Sequence, residues 1–313
     1  MLQNFIICVN AVIPSATYLI VGVLLRKFKV AKPDDVKKFT HLTFIALYPF
    51  LMFDNIYGRN IGQNMNWLLV GYCMGYLAVV ILVTWLLVCR YEKNDYNRGA
   101  MIQAIFRSNI VLMGLPIGIN LFGKSNVAAV AVVLLFAAPT YNVVSVIIFE
   151  KFRRGKADVR KMIKGVLTNP LIDGAIAALV VMALGIQVPE IIMQPVVALS
   201  DSTTPIAMVL LGASLNMEGM RNESRRVAVS VIGKLIIVPA FGIVGAVMLG
   251  FTGVELIAVV LMFATPTALA SFAMASSMGG NGEIAGNAVV FSTMVSCFTL
   301  PIWLFALKTM GLF

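Results

Sequence analysis

Ten apolar stretches take up almost all of this chain, and little sequence lies between them. They run roughly over 5–25, 39–57, 67–89, 100–122, 127–149, 167–186, 192–216, 227–250, 254–278 and 285–307. About 20 apolar residues suffice to cross the hydrocarbon core of a bilayer as a helix, with every backbone polar group bonded inside the segment. Of the 313 residues, 60% are hydrophobic and only 12% charged, about half the charged share of an ordinary soluble domain. A separate soluble domain and a nucleic-acid module are both excluded. The expected fold is an all-α polytopic membrane protein of ten transmembrane helices.

The prolines organise those helices. Pro14, Pro33 and Pro49 recur 156 residues later as Pro170, Pro189 and Pro205, and Pro116 recurs 150 residues later as Pro266. Proline breaks helix interiors because it lacks an N–H and crowds the preceding turn. Corresponding interruptions in two halves of an apolar chain mark a transporter built from repeats. Five spans per half is an odd number, so the second half enters from the opposite face and the repeat is inverted. Residues 1–153 form the first five-helix repeat and 154–313 the second. Pro33-Asp34 and Pro189-Glu190 both precede the second span of their half, where proline and an acid suit a helix start.

The net charge of +10 sits in alternate connections. The odd-numbered ones hold nineteen of the 24 basic residues, among them Arg26, Lys37, Arg90, Arg98, Lys151, Lys156, Lys164, Arg221, Arg225 and Arg226. The even ones and the C-terminus offer only Arg59, Lys124 and Lys308. Basic loops stay on the cytoplasmic side. Both termini are therefore expected outside the cytoplasm, with the protein in the cell membrane. The four cysteines, Cys8, Cys73, Cys89 and Cys297, show no metal or redox spacing and read as packing residues. The first stretch lacks a basic leader and a clear cleavage site and reads as a true helix.

Spans four and nine carry the candidate chemistry. Asn109 and Gly114 precede Pro116 in the fourth, and Thr265, Pro266 and Thr267 stand together in the ninth. A helix broken at such a proline frees backbone groups that are tolerable only against protein or a water-filled cavity. A half-helix beginning at Pro116 or Pro266 would turn its positive end toward the membrane midplane, a ready anion site. Thr265 before Pro266 has the order of an N-cap followed by proline at the first helical position. A proline kink accounts for either span alone. Matched positions in inverted halves favour a crossed pair of discontinuous helices.

Ionisable residues within the apolar stretches are functional candidates because depth makes them costly. They are Asp201, Lys234, Asp173 and Arg107, with Asp54 close to an outer edge. Local explanations exist for several. Arg107 can snorkel to the inner surface, Asp173 can cap near the cytoplasmic end, Asp54 can reach the interface, and Asp201 can pair with Lys234. His41, the single histidine, lies at a basic membrane edge and does not read as a proton relay. There is no zinc-type histidine pair and no phosphate-binding glycine loop, so neither an enzyme nor an ATP-driven pump is expected, and no cofactor or metal.

In order and spacing these motifs resemble the auxin efflux carrier family, which includes plant auxin exporters and bacterial permeases. The resemblance rests on Asn109 through Met113-Gly114-Leu115 to Pro116, on Asn169-Pro170, and on Leu199-Ser200-Asp201 leading to Leu211-Gly212. Lys234 five residues before Pro239, and Ala264-Thr265-Pro266, complete it. It implies a fold akin to the bile-acid sodium symporters. Spans 1, 2, 6 and 7 would form a scaffold, able to dimerise, and spans 3–5 and 8–10 a core that moves like an elevator. It also implies that Asn109 contacts a substrate carboxylate beside the crossover.

Two departures limit the transfer. The connecting loop is short, and span three, 67–89, holds no acidic residue where plant carriers place an acid–lysine pair. Auxin is therefore not assumed. The expected function is secondary transport of a small organic anion, with protons or sodium as the coupling ion. A sodium-coupled symporter of the bile-acid type and a channel or sensor are the rival readings.

Overall fold

The computed structural model describes residues 17–57, 66–122, 128–153, 169–214 and 223–313. Pro14, Cys8, Arg59, Lys124, Arg221 and the basic residues Lys156 and Lys164 lie outside them, and the division at 153/154 falls where one described segment stops.

The chain is almost entirely helical. Helix α1 covers 17–27; α2 is Pro33–Ala46, α3 Tyr48–Ile56 and α4 Trp67–Tyr91. Asp95–Phe106 is α5, followed after three extended residues by a π-helical turn, Ile110–Gly114, and α6, Leu115–Phe122. Then come α7 (Ala128–Phe152), α8 (Pro170–Ala183), α9 (Glu190–Ser214) and α10 (Ser224–Ile232). A second π turn, Gly233–Ile237, leads into α11, Val238–Met248. The chain ends in α12 (Gly253–Ala264), α13 (Ala270–Met278) and α14 (Gly282–Thr309). Among the described residues no strand forms.

Five of these helical runs are uninterrupted and apolar enough to cross a membrane: Trp67–Tyr91, Val132–Phe152, Glu190–Ser214, Ser224–Met248 and Gly282–Thr309. The fourth and ninth apolar stretches do not appear among them because each is broken into two short helices, and the second is divided at Leu47 just before Pro49. Leu68, Leu82, Leu86, Phe241, Phe298 and Ile302 are all more than half exposed. Apolar surface of that extent belongs against lipid rather than water.

Local sequence explains several helix ends. Pro33 opens α2 with Asp34 and Asp35 in its first turn, as the sequence predicts, and Glu190 opens α9 directly after Pro189. The carboxamide oxygens of Asn66, Asn94 and Asn281 accept first-turn N–H groups of α4, α5 and α14, each cap satisfying donors the helix cannot. Close helix contacts need glycine: a Cβ at Gly174 of α8 would collide with the Pro49 carbonyl of α3, and one at Gly212 of α9 with the Leu19 carbonyl of α1.

Both π turns end two residues before a proline, Pro116 and Pro239. Proline removes the N–H that would bond four residues back. For Pro239 the orphaned acceptor is the Leu235 carbonyl, and the indole N–H of Trp303 on α14 donates to it at 3.1 Å. The Val238 N–H reaches back to the Gly233 carbonyl instead. The widened turn rotates Lys234 into the protein, where it is fully buried. Trp303→Phe leaves the Leu235 carbonyl without its donor and is expected to cost about 1 kcal/mol of stability, read as a lowered melting temperature of purified protein in detergent.

Candidate functional site

The two broken helices meet at their breaks. Helix α5 ends at Phe106, and Arg107 takes an extended conformation with φ −84° and ψ 114°. Helix α12 ends at Ala264, and Thr265 is likewise extended with φ −69° and ψ 151°. Between these ends Ser108 and Thr267 form an isolated antiparallel bridge. The Asn109 N–H donates to the Pro266 carbonyl at 2.8 Å, and the Ala268 N–H to the Arg107 carbonyl at 3.3 Å. Each break thus uses the other to satisfy backbone groups that lipid cannot.

The break positions differ from the sequence expectation. In the fourth stretch the helix parts at Arg107–Asn109, ahead of Pro116, which sits inside α6. In the ninth it parts across Thr265–Leu269, so Thr265 is the C-cap of α12 rather than the N-cap of α13. Its hydroxyl donates to the Leu261 carbonyl one turn back, at 2.9 Å. The reason is physical. A break settles where its free donors and acceptors find partners, and they find them in the opposing crossover rather than beside the prolines.

Side chains lock the crossing. The Thr267 hydroxyl donates to the Ala104 carbonyl at the end of α5, at 2.8 Å, while its N–H donates to the Ser292 hydroxyl at 3.0 Å. The Lys234 ammonium donates to the Ser108 hydroxyl. Gly114 ends the first π turn, where a Cβ would press on the Ile110 side chain, so it is a packing glycine. Thr265, Pro266 and Thr267 therefore build the crossover.

Beside the crossing lies a cavity of about 60 Å³ lined by Tyr48, Arg107, Asn109, Tyr141, Asn142 and Thr204, together with Ile110, Leu269 and Ala270. Arg107 is 4% exposed. Its guanidinium donates to the Asn142 carboxamide oxygen at 2.6 Å, the Ser145 hydroxyl at 3.2 Å and the Met274 sulfur at 2.9 Å. All three acceptors are neutral, and no carboxylate faces the guanidinium among the described residues. The Asn109 carboxamide has no protein partner among those residues. The Tyr141 hydroxyl is buried without a hydrogen bond of ordinary geometry. The following half-helices start at Ile110 and at Ala270, both on the cavity wall, so two positive dipole ends lie beside it. One buried guanidinium, a carboxamide without a protein partner among the described residues and two half-helix starts thus surround one small cavity.

Of the other sequence candidates, Arg107 does not snorkel; it turns inward and lines this cavity. Lys234 bonds Ser108 and does not pair with Asp201, which is exposed on α9. Asp173 is exposed in the first turn of α8, and Asp54 accepts from the Ser200 hydroxyl at 2.7 Å. No group of three potential metal ligands occurs among the described residues. Tyr48, Tyr141, Asn142 and Thr204 were not singled out from the sequence. An amide in the apolar stretch 127–149 is the one signal that points to Asn142.

A family model described as "Membrane transport protein" matches residues 7–304. The chain is similar to MJ1031, an uncharacterized transporter of Methanocaldococcus jannaschii, with 19% identity across 91% of this chain and 94% of that protein. It is also similar to auxin efflux carrier component 1 of Arabidopsis thaliana, 26% identical over 155 residues, which is 49% of this chain and 24% of the plant protein. The chain therefore belongs to the membrane transport protein family, that of the auxin efflux carriers, and is a membrane-embedded transporter.

Proposed function

We propose that the protein is a secondary transporter of a small organic anion, whose carboxylate binds at the crossover between Asn109 and Arg107. The observation that carries this reading is a buried guanidinium bonded only to neutral acceptors, on the same cavity as a free carboxamide. A bound carboxylate supplies the missing counter-charge and accepts from the Asn109 carboxamide.

The cavity wall has two sides. Tyr48, Leu51 and Met52 come from α3 and Thr204 from α9; the rest come from the crossover and α7. In the reading proposed here, the first side belongs to a scaffold and the second to a core that carries the anion across. The helices α3 and α9 also meet where an inverted repeat would relate them, since the Thr203 hydroxyl contacts the Leu47 carbonyl, 156 positions away, at 3.4 Å. Two buried basic side chains, Arg107 and Lys234, flank the crossing. The field of the guanidinium repels a sodium ion there, which favours an anion site over a sodium site.

A melting-temperature screen of purified protein against mono- and dicarboxylates, with and without sodium and across pH, tests the proposal. A ligand that binds the native state raises the melting temperature. The expected result is a rise with one carboxylate class that is independent of sodium. Stabilisation by sodium chloride but not by its potassium counterpart, with no carboxylate effect, overturns it.

A further inference from the structure

A second and much larger cavity, of about 980 Å³, opens between α4 and the continuous run of α10, π turn and α11. Its walls are two of the helices long and apolar enough to cross a membrane. Val79, Val83 and Leu87 stand on one side and Val229, Ile237 and Phe241 on the other, all roughly half exposed or more. The floor is closed by Met101 and Ile105 of α5, and Gly233, which has no side chain, leaves room above Ile105. Tyr76 closes one end by donating to the Val238 carbonyl at 2.7 Å.

The other end is charged. Glu92, Arg225 and Arg226 line it. Glu92 and Arg226 are bonded to each other across the mouth, and Arg226 also holds Glu223 at 2.8 Å. Burial, the largest single influence, would raise the Glu92 carboxyl, but the hydrogen bonds from Arg226, the Asn94 N–H and Asn97, together with the Arg226 charge, outweigh it and hold the group below its ordinary range. Arg225 is exposed and has no ion-pair or hydrogen-bond partner among the described residues. Of the three charges at the mouth, the one left unpaired is positive.

We propose that this groove binds one acyl chain of an anionic phospholipid, with the headgroup phosphate on Arg225. From Tyr76 to Tyr91 the wall is about 22 Å long at 1.5 Å per residue, enough for the chain of a single leaflet, whose share of the hydrocarbon core is about 15 Å. The apolar walls face lipid, and an unpaired arginine at the membrane surface selects an anionic headgroup over a zwitterionic one.

Native mass spectrometry of the delipidated full-length protein, titrated with phosphatidylglycerol and with phosphatidylcholine, tests this. The wild type is expected to prefer phosphatidylglycerol about fivefold, the effect of one charge near the surface. Arg225→Gln, at an exposed position, is expected to bind the two lipids equally. Val83→Trp, which fills the groove, is expected to lose the bound lipid while keeping the wild-type melting temperature. Equal affinity for both lipids in the wild type overturns the assignment, as does a preference that survives Arg225→Gln. Retention of lipid by Val83→Trp overturns it too. Displacement of the lipid by a water-soluble carboxylate would make the groove a solute site and overturn it as well.

Discussion

Asn109→Ala is expected to abolish the carboxylate-dependent rise in melting temperature while leaving the melting temperature of the ligand-free protein nearly unchanged. The backbone of Asn109 helps join the two crossovers through its N–H to Pro266, and its carbonyl accepts from the N–H groups of Met113 and Gly114 in its own π turn. Alanine keeps all of these. The carboxamide contributes no protein bond among the described residues, so its loss costs the fold little. To a bound carboxylate it contributes a hydrogen bond to a charged group, about 1.5–3 kcal/mol, or roughly a 10- to 150-fold weaker dissociation constant. Isothermal titration with the carboxylate found in the screen measures it. Unchanged affinity in a folded variant would remove Asn109 from the site.

Arg107→Met is expected to give the opposite signs for stability and for binding. A guanidinium 4% exposed has lost most of its hydration, and its three acceptors, Asn142, Ser145 and Met274, return no full charge. Replacing such a charge by an apolar side chain of similar length is neutral or stabilising, by up to about 4 kcal/mol in buried ionic sites. Binding and uptake of the anion, however, lose their counter-charge. Truncating one member of a buried charge pair costs about 2–5 kcal/mol, so affinity should fall about 30-fold or more. Arg107→Lys should recover part of the affinity, because the charge returns without the planar fork. A methionine variant that melts lower than wild type and still binds would show that Arg107 serves the fold and not the ligand.

The contrast between these variants shows how the site is assembled. Asn109 was legible from its spacing to Pro116 and from the family resemblance, because a polar residue ahead of a membrane proline is unusual by itself. Arg107 was visible as an intramembrane charge, but its direction was not. Snorkelling and inward turning differ by side-chain torsions that depend on which neighbours are present, and those neighbours, Asn142 and Ser145, lie on another helix. Tyr48 and Thr204 carry no local signal at all. They line the cavity because α3 and α9 pack beside the crossover.

The amino-acid sequence by itself determined that the chain is helical and membrane-embedded, since apolar stretches of about 20 residues leave backbone groups no partner but their own helix. It also pointed to the fourth and ninth stretches as places of interruption, through prolines at matched positions in the two halves. Where each helix parts was decided by tertiary structure. Helix α5 stops at Phe106 and not at Pro116, because the Arg107 carbonyl and the Asn109 N–H find their partners in Ala268 and Pro266. Lys234 likewise meets Ser108 rather than Asp201, because a π turn ahead of Pro239 rotates it toward the crossing. Hydrogen bonds within a helix are local and can be read from neighbouring residues. Those that join two interrupted helices link positions far apart in the chain, and only the packed fold brings them together.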